Sequence, residues 1–284
     1  MKKYFTGLFF SFSFFTALAG NENFLPGART SGMGYCGLTL VDIWGAQHNQ
    51  ANLGFIQQYH AGAYYENRFG LKETGYKNVA FILPVGKTNG FSVVANQYGY
   101  KQYTESKYGL GYGKKLTEGF GLGLQINYNS LRLGDIYGKK QTLTAEFGIR
   151  AKLLDKLTFA AHIYNVSRTM LNQSLTKEYI PTCIRTGIEY SLSNTAKILF
   201  ENESTINYKT NFRIGAEYTL KQKMFFRTGF NAYPFSAAFG FGYKYKSLQF
   251  DASANYHQIL GFSPNLSLQF SFGNKAPNTI EVPQ

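Results

Sequence analysis

The sequence is poor in cysteine, proline and acidic residues, and beyond its first few residues it lacks any long apolar run. Two cysteines in 284 residues exclude a disulfide-stapled scaffold, and the distance between Cys36 and Cys183 excludes a zinc-finger ligand pair. Only 16 acidic residues oppose 29 basic ones, so the formal net charge is +13. Aromatic residues make up 17% of the chain, which excludes an intrinsically disordered protein. What remains is a folded chain of one or two domains' length.

Residues 1–19 predict a secretory signal peptide rather than part of the fold. Lys2 and Lys3 precede an apolar and aromatic stretch over 4–16, and Ala17-Leu18-Ala19 fits the small residues of a cleavage site. The apolar stretch is shorter than the roughly 20 residues that a spanning helix needs, which argues against a membrane anchor. We expect cleavage near Ala19.

Apolar and polar residues alternate with a period of two through most of the remaining chain. In 248–257, for example, Leu248, Phe250 and Tyr256 alternate with polar residues, and 143–153 and 210–220 behave in the same way. About fourteen such segments occur, each close to the ~9–11 residues that a tilted strand needs to cross a bilayer. They begin near residues 56, 78, 90, 107, 119, 140, 156, 181, 195, 209, 223, 235, 247 and 265.

The connections between these segments alternate between short and long. Short turns on one side and longer loops on the other are typical of outer-membrane barrels, whose short turns are periplasmic, and an even strand count places both chain ends there too. The predicted short turns lie at 87–90, 116–119, 154–156, 193–195, 221–223 and 246–247. The predicted longer loops lie near 70–77, 100–106, 131–139, 167–180, 203–208, 231–234 and 257–264.

These patterns predict an all-β fold, a transmembrane antiparallel β-barrel of about 14 strands over residues 55–273. Residues 20–54 are then an N-terminal hatch or plug segment, and 274–284 a periplasmic C-terminal tail. A secreted sandwich or jelly roll also alternates, but its strands are usually nearer five or six residues and its apolar faces point into a core.

The segment before the first strand carries the most specific motif. It resembles the N-terminal signature of the PorV/PorQ family, within the FadL-like group of fourteen-stranded outer-membrane barrels of Bacteroidetes. Gln50 and Asn52 stand where that family usually has proline and glycine. The matching residues of the hatch motif are Gly27, Ala28, Arg29, Gly32, Met33, Gly34, Asp42, Asn49, Ala51 and Leu53.

Three functions are open, of which the resemblance implies the first two and we favour the first. As in PorV and PorQ, the barrel would be an accessory component of the type IX secretion system and would bind a larger outer-membrane translocon or assembly subunit. As in FadL, it would instead transport a hydrophobic solute past a hatch. A structural barrel of another assembly complex is the third. The apolar loop residues that a solute pocket would use are Tyr100, Tyr103, Ile136, Tyr137, Met170, Leu171, Ile259, Leu260 and Phe262.

Charged residues of both signs fall on the polar, inward phase of the predicted strands. Mixed signs predict a salt-bridged lumen network, whereas a ring of one sign would favour ion selectivity. Arg29 of the hatch is expected to pair with an acidic wall residue such as Glu146 or Glu217. The predicted lumen charge network consists of Glu146, Arg150, Arg185, Glu189, Arg213, Glu217, Arg227 and Asp251.

No motif in the sequence indicates catalysis, a cofactor or nucleic-acid binding. The four histidines have no metal-site spacing, and no nucleophile motif occurs, so we expect no enzyme and no cofactor. Lysines in turns and loops are expected to meet outer-membrane lipid and lipopolysaccharide, since no basic run suggests nucleic acid. Cys36 and Cys183 either form one bridge from hatch to wall or are two unrelated buried thiols.

Overall fold

A computed structural model describes residues 23–134, 138–171, 178–206 and 208–273. Fourteen antiparallel strands form one closed barrel, in which the last strand pairs with the first, Tyr59 lying opposite Phe272. Closure excludes the sandwich alternative and confirms the predicted all-β barrel of about 14 strands. The predicted signal peptide and C-terminal tail lie outside the described residues.

Each predicted strand start lies within four residues of an observed one. The barrel strands are β1 (Tyr59–Asn67), β2 (Gly75–Val85), β3 (Asn89–Tyr100), β4 (Tyr103–Lys115), β5 (Phe120–Leu133), β6 (Lys139–Leu154), β7 (Leu157–Tyr164), β10 (Cys183–Ser191), β11 (Ala196–Thr205), β12 (Asn211–Leu220), β13 (Met224–Asn231), β14 (Ser236–Tyr245), β15 (Leu248–His257) and β16 (Gly261–Phe272). Two short strands, β8 (Met170–Leu171) and β9 (Glu178–Tyr179), pair with each other outside the barrel sheet.

The strands turn their apolar residues outward and their polar residues into the barrel. On β15, Phe250 and Tyr256 are exposed, whereas Asp251 and Asn255 are buried. Outward residues such as Leu110 and Phe239 are about two-thirds exposed, at 68% and 65%. A surface of this kind is stable only where it faces an apolar medium, which is how membrane barrels are built.

The two ends of the barrel differ in their connections. Six turns of two to four residues lie at the end where β1 begins, the short-turn end, and the longer connections lie at the opposite, long-loop end. The predicted long connection at 257–264 is wrong, because residues 258–260 alone join β15 to β16. The predicted long connection at 100–106 is also wrong, because β3 and β4 are joined by residues 101–102 alone. Pairing continues to Tyr100 and Tyr103, and Gly99 provides the positive φ (98°) beside this tight turn.

Residues 24–56, the inner segment, lie inside the barrel and contact strands on all sides of it. The segment contains two helices of one turn each, α1 (Ala28–Ser31) and α2 (Gly45–His48), and a 3-10 helix over Gln50–Phe55. Two further 3-10 turns, Arg68–Gly70 and Lys72–Thr74, lie in the connection from β1 to β2. Each helix of the described residues is too short to cross a membrane.

Glycines on the wall allow the inner segment to approach the strands closely. Met33 lies against Gly215 and Gly229, which are paired across β12 and β13. A Cβ atom on Gly229 would overlap the carbonyl carbon of Met33, and one on Gly123 would overlap the backbone of Gln50 and Ala51. The wall therefore has notches that match the backbone of the inner segment.

We expect Gly229→Ala to leave the barrel closed but to displace the inner segment near Met33. Overpacking of this kind costs about 1–3 kcal/mol. The midpoint of thermal unfolding, read from heat-modified migration on gels, should fall. The emission of Trp44, the only tryptophan, should shift to longer wavelength as its burial is disturbed.

Gly75→Ala is the matched control, because the nearest atom to its added Cβ would be 3.6 Å away, an ordinary contact. If the two variants had the same unfolding midpoint and the same Trp44 emission, the close contact between Gly229 and Met33 would be contradicted.

Candidate functional site

Five charged residues, the latch cluster, tie the inner segment to one side of the wall. The guanidinium of Arg29 donates to both carboxylate oxygens of Glu217 (2.6 and 2.9 Å) and also to Asp42 (3.0 Å). Arg227 donates to Glu217 (2.7 Å) and to Asp251 (2.7 Å). Glu217 is thus shared between Arg29 of the segment and Arg227 of the wall. Of the two partners expected for Arg29, Glu146 and Glu217, the observed partner is Glu217.

Glu146 is the centre of a second polar group on the other side of the lumen. Its carboxylate accepts hydrogen bonds from the side-chain amides of Gln50 (2.9 Å) and Asn127 (2.8 Å). His162 Nε2 lies 3.0 Å and Lys107 Nζ 3.5 Å from the same carboxylate. Gln50 belongs to the inner segment and the other three to strands, so this group also joins segment to wall.

Between these groups the wall binds the backbone of the inner segment. Arg185, which is fully buried, donates through Nη2 to the carbonyl oxygen of His48 (2.7 Å). Glu201 Oε1 accepts from the backbone N–H groups of Gly37 (2.5 Å) and Leu38 (2.7 Å). Because these groups are backbone atoms, the wall fixes the path of the segment and not only its side chains.

His48 is buried within the segment itself. Burial lowers its pKa to about 3, and the neighbouring Arg185 charge acts in the same direction. The imidazole is therefore neutral, and its Nε2 lies 2.8 Å from the carbonyl oxygen of Pro26. Neutrality suits a site beside a buried arginine.

The remaining residues of the predicted network form local contacts. Glu189 accepts from Thr39 Oγ1 (2.9 Å) of the inner segment, and Arg150 lies over the ring of Phe55 (4.8 Å). Arg213 pairs with Glu203 (2.8 Å), its neighbour on the wall. The structure thus divides the eight predicted charges among separate groups, most of which contact the inner segment.

The residues of the hatch motif shape the inner segment. Gly27 has φ 109°, and a Cβ atom there would overlap the ring of Trp44. Ala28 donates its N–H to Ser267 Oγ (3.3 Å), and Gly32 lies against Gly240. Gly34 has φ 65° and packs on the backbone of β13. These positions place the first half of the motif on the β13–β16 side of the wall.

The second half of the motif starts the 3-10 helix. The Asn49 side chain accepts from the Ala51 N–H (3.1 Å) at the start of that helix, and Leu53 is buried. Gln50 and Asn52, the departures from the family pattern, use their amides on Glu146 and on the Leu38 carbonyl (2.9 Å). Proline and glycine have no side-chain donors for these bonds, so Gln50 suits this particular wall and Asn52 suits the fold of the segment itself.

A cavity opens inside the barrel at the long-loop end, directly above the first described residues of the inner segment. Its volume, taken as the space that the centre of a water-sized sphere can reach, is about 40 Å³, and it is open to solvent at its mouth. Phe24 lies in its wall between Tyr76 (5.3 Å) and Tyr98 (4.4 Å), with the Arg68 guanidinium 4.2 Å from its ring. The other lining residues are Asn23, Asn96, Glu105, Ser106, Lys107, Asn129, Ser130, Leu131, Tyr164 and Ile180.

Of the apolar loop residues expected to form a pocket, Tyr100, Tyr103, Ile259, Leu260 and Phe262 do not line this cavity, and the side chains of Met170 and Leu171 are not among those that the structure describes. Ile259 is 86% exposed, and Leu260 and Phe262 are also exposed, so these three form part of the outer surface. Ile136 and Tyr137 lie outside the described residues. Strand residues line most of the cavity instead. The sequence feature that could have predicted it is the presence of aromatic residues at inward-facing strand positions, as at Tyr76, Tyr98 and Tyr164.

Cys36 and Cys183 are both free thiols and both buried, in different apolar groups. Of the two interpretations left open by the sequence, the unrelated thiols are observed. Within the described residues, no three His, Cys, Asp or Glu side chains are placed to hold a metal ion.

Closed barrels with a polar interior that a chain segment fills occur among outer-membrane proteins. No protein-family model and no curated protein matches the sequence. Solved structures do match it in fold. The CymD monoaromatic hydrocarbon channel has a TM-score of 0.67 and 14% identity, over 88% of this chain and 98% of that one.

Two further structures agree. The Pseudomonas putida toluene transporter TodX has a TM-score of 0.65 and 11% identity, over 86% of this chain and 97% of that one. A FadL homologue from Pseudomonas aeruginosa has a TM-score of 0.58 and 12% identity, over 87% and 97%. The chain therefore has the fold of the FadL-like outer-membrane barrels, among which CymD is a channel and TodX a transporter rather than enzymes.

We expect Glu217→Gln to loosen the inner segment, because Arg29 and Arg227 lose the charge that they share. Removing one partner of a buried ion pair costs on the order of 3–5 kcal/mol. The unfolding midpoint should fall, and ion conductance across planar bilayers should rise as the lumen becomes less obstructed.

Glu203→Gln removes one carboxylate from a pair that joins wall to wall, so it should leave conductance unchanged. A Glu217→Gln barrel with the conductance of the Glu203→Gln barrel would argue against the latch.

Proposed function

We propose that this protein is an outer-membrane channel for small hydrophobic solutes, in which the cavity receives the solute and the inner segment closes the lumen beneath it. The observation that carries the proposal is the cavity itself. It is concave, partly aromatic and open at one end of the barrel, with a few polar groups, as small-molecule sites usually are.

The similar solved structures support this choice of solute. CymD is a monoaromatic hydrocarbon channel and TodX a toluene transporter, and both share the barrel along nearly all of their length. An apolar solute gains by leaving water for rings such as Phe24, Tyr76 and Tyr98. Elsewhere in the described part of the lumen, polar and charged side chains face the inner segment and offer such a solute less apolar surface.

The exposed apolar belt supports a location in the outer membrane. In this placement the short-turn end faces the periplasm and the long-loop end, with the cavity, faces outward. Loop lysines such as Lys101 and Lys209 then meet lipopolysaccharide, which is rich in anionic groups. The inner segment is the hatch, and its many bonds to the wall keep the lumen closed at rest.

The accessory role in type IX secretion is a second candidate and rests on the N-terminal motif. One feature of the surface favours partner binding: Ile259 and Leu260 form an exposed apolar tip between β15 and β16. Stoichiometric recovery of a large translocon subunit in a mild-detergent pull-down, lost in an Ile259→Ser, Leu260→Ser double variant, would favour this role over transport.

The transport proposal predicts that filling the cavity stops uptake. Asn129 lies on β5 in the inward phase and lines the cavity, so Asn129→Trp should occupy much of the space. Initial uptake of radiolabelled toluene by intact cells that express the variant should fall to that of cells without the protein. Gln141→Trp is the control, because Gln141 is exposed on the outer face of neighbouring β6 and should leave uptake unchanged.

Equal uptake by cells with and without the natural protein would overturn the proposal. The amount of folded barrel in the outer membrane is compared by heat-modified migration for every variant, so that loss of protein is not mistaken for loss of transport.

A further inference from the structure

From the surroundings of Lys107 we infer that the cavity selects aromatic solutes that carry a carboxylate over neutral ones. This inference rests on the proposed function, because it concerns the same cavity. It assigns to Lys107 the role of the specificity-determining residue.

Lys107 places a cation deep in a largely apolar cavity. It lies on β4 in the inward phase, and only 12% of its side chain is exposed. Its Nζ is 5.2 Å from the centroid of the Tyr164 ring, on the wall of the cavity. A cation removed from water in this way interacts strongly with an anion, because little solvent screens the pair.

The contacts of Lys107 with the protein are long. Its Nζ is 3.5 Å from Glu146 Oε1 and 3.4 Å from Asn23 Oδ1. Charge-assisted hydrogen bonds are usually about 2.7–2.9 Å, so neither contact is a strong one.

Glu146 in turn has hydrogen-bond partners besides Lys107. The same carboxylate has shorter contacts with Asn127, Gln50 and His162, at 2.8, 2.9 and 3.0 Å. Lys107 can therefore turn its ammonium toward a solute carboxylate without leaving Glu146 unpaired.

The second charged residue of the cavity lies nearer to its mouth. Glu105 precedes Lys107 by one inward position on β4, and its carboxylate accepts a hydrogen bond from the Tyr103 hydroxyl. The carboxylate of Glu105 is thus hydrogen-bonded near the long-loop end, and the ammonium of Lys107 lies deeper in the barrel. A solute entering from that end meets the ammonium at the bottom of the cavity.

The walls favour an aromatic body for this anion. Phe24, Tyr76, Tyr98 and Tyr164 supply four rings, and Leu131 and Ile180 supply aliphatic surface. Offset or edge-to-face contacts between rings add to simple burial. A benzoate-like molecule satisfies both requirements, since its ring packs against these walls while its carboxylate reaches Nζ of Lys107.

The test compares benzoate with benzamide, a neutral molecule of nearly the same shape, and with toluene. Binding of each radiolabelled compound to the purified, folded barrel is measured by equilibrium dialysis at neutral pH. The natural protein should bind benzoate more tightly than benzamide. Lys107→Met should weaken benzoate binding about tenfold or more, as expected for a lost charge-assisted hydrogen bond, and should leave toluene binding nearly unchanged.

Two further variants separate charge from structure. Lys107→Arg keeps the cation and should retain the preference for benzoate. Lys101→Met removes the same charge at the same end of the barrel, from the exposed turn between β3 and β4, and should behave like the natural protein.

The outcomes distinguish this inference from the proposed function. Binding of toluene without any preference for benzoate, unaffected by Lys107→Met, would overturn the inference and leave the channel for hydrophobic solutes standing. Absence of binding of all three compounds to the natural protein would overturn both. Equal losses of benzoate binding in Lys107→Met and Lys101→Met would show that net charge, and not the cavity, attracts the anion.

Discussion

Closure of the sheet is the constraint on which the rest of this structure depends. Once fourteen strands close, one face of every strand meets the surrounding medium and the other faces a lumen too wide for wall side chains alone to fill. The inward face is polar, and buried polar groups need hydrogen-bond partners. The inner segment supplies them: Gln47 bonds to Asn96, Gln50 to Glu146, and the backbone at Gly37 and Leu38 to Glu201. Residues 24–56 therefore provide hydrogen-bond partners for polar groups that closure of the barrel buries.

The charges of the lumen determine where the segment lies more than how strongly it is held. A buried ion pair recovers much of its Coulomb energy only against the cost of removing both charges from water. Its geometry, however, is demanding. Arg29 meets Glu217 through two parallel bonds, and Glu217 also binds Arg227, so a shift of the segment breaks several bonds at once. The close fit of Met33 against Gly215 and Gly229 also restricts the position of the segment. Together they define one register between the segment and the wall.

The sequence predicted the strands well because their signal is local. A period of two is visible within ten residues, and short turns such as 246–247 interrupt it clearly. The contact between Arg29 and Glu217 was not predictable to a single partner, because 188 residues separate them and Glu146 shares the same inward phase. The cavity was missed for a related reason. Apolar residues were sought in loops, whereas Tyr76 and Tyr98 face each other on the paired strands β2 and β3, and the barrel brings Tyr164 of β7 to the same cavity. The extension of β3 and β4 to Tyr100 and Tyr103 was missed because polar residues there resemble a loop.

The cavity and the inner segment are coupled through Glu146. One oxygen of this carboxylate faces Lys107 at the cavity, and the other accepts from Gln50 in the segment. An anion that draws the ammonium of Lys107 away leaves Glu146 with only neutral amides and His162 as partners. The hydrogen bond from Gln50 to Glu146 then becomes more important for this buried carboxylate. Occupancy of the cavity by an anion then favours the closed arrangement of the segment on that side of the wall. Under the proposed function, Phe24 is the part of the segment that a solute in the cavity contacts most directly, because it packs between Tyr76 and Tyr98 on the cavity wall.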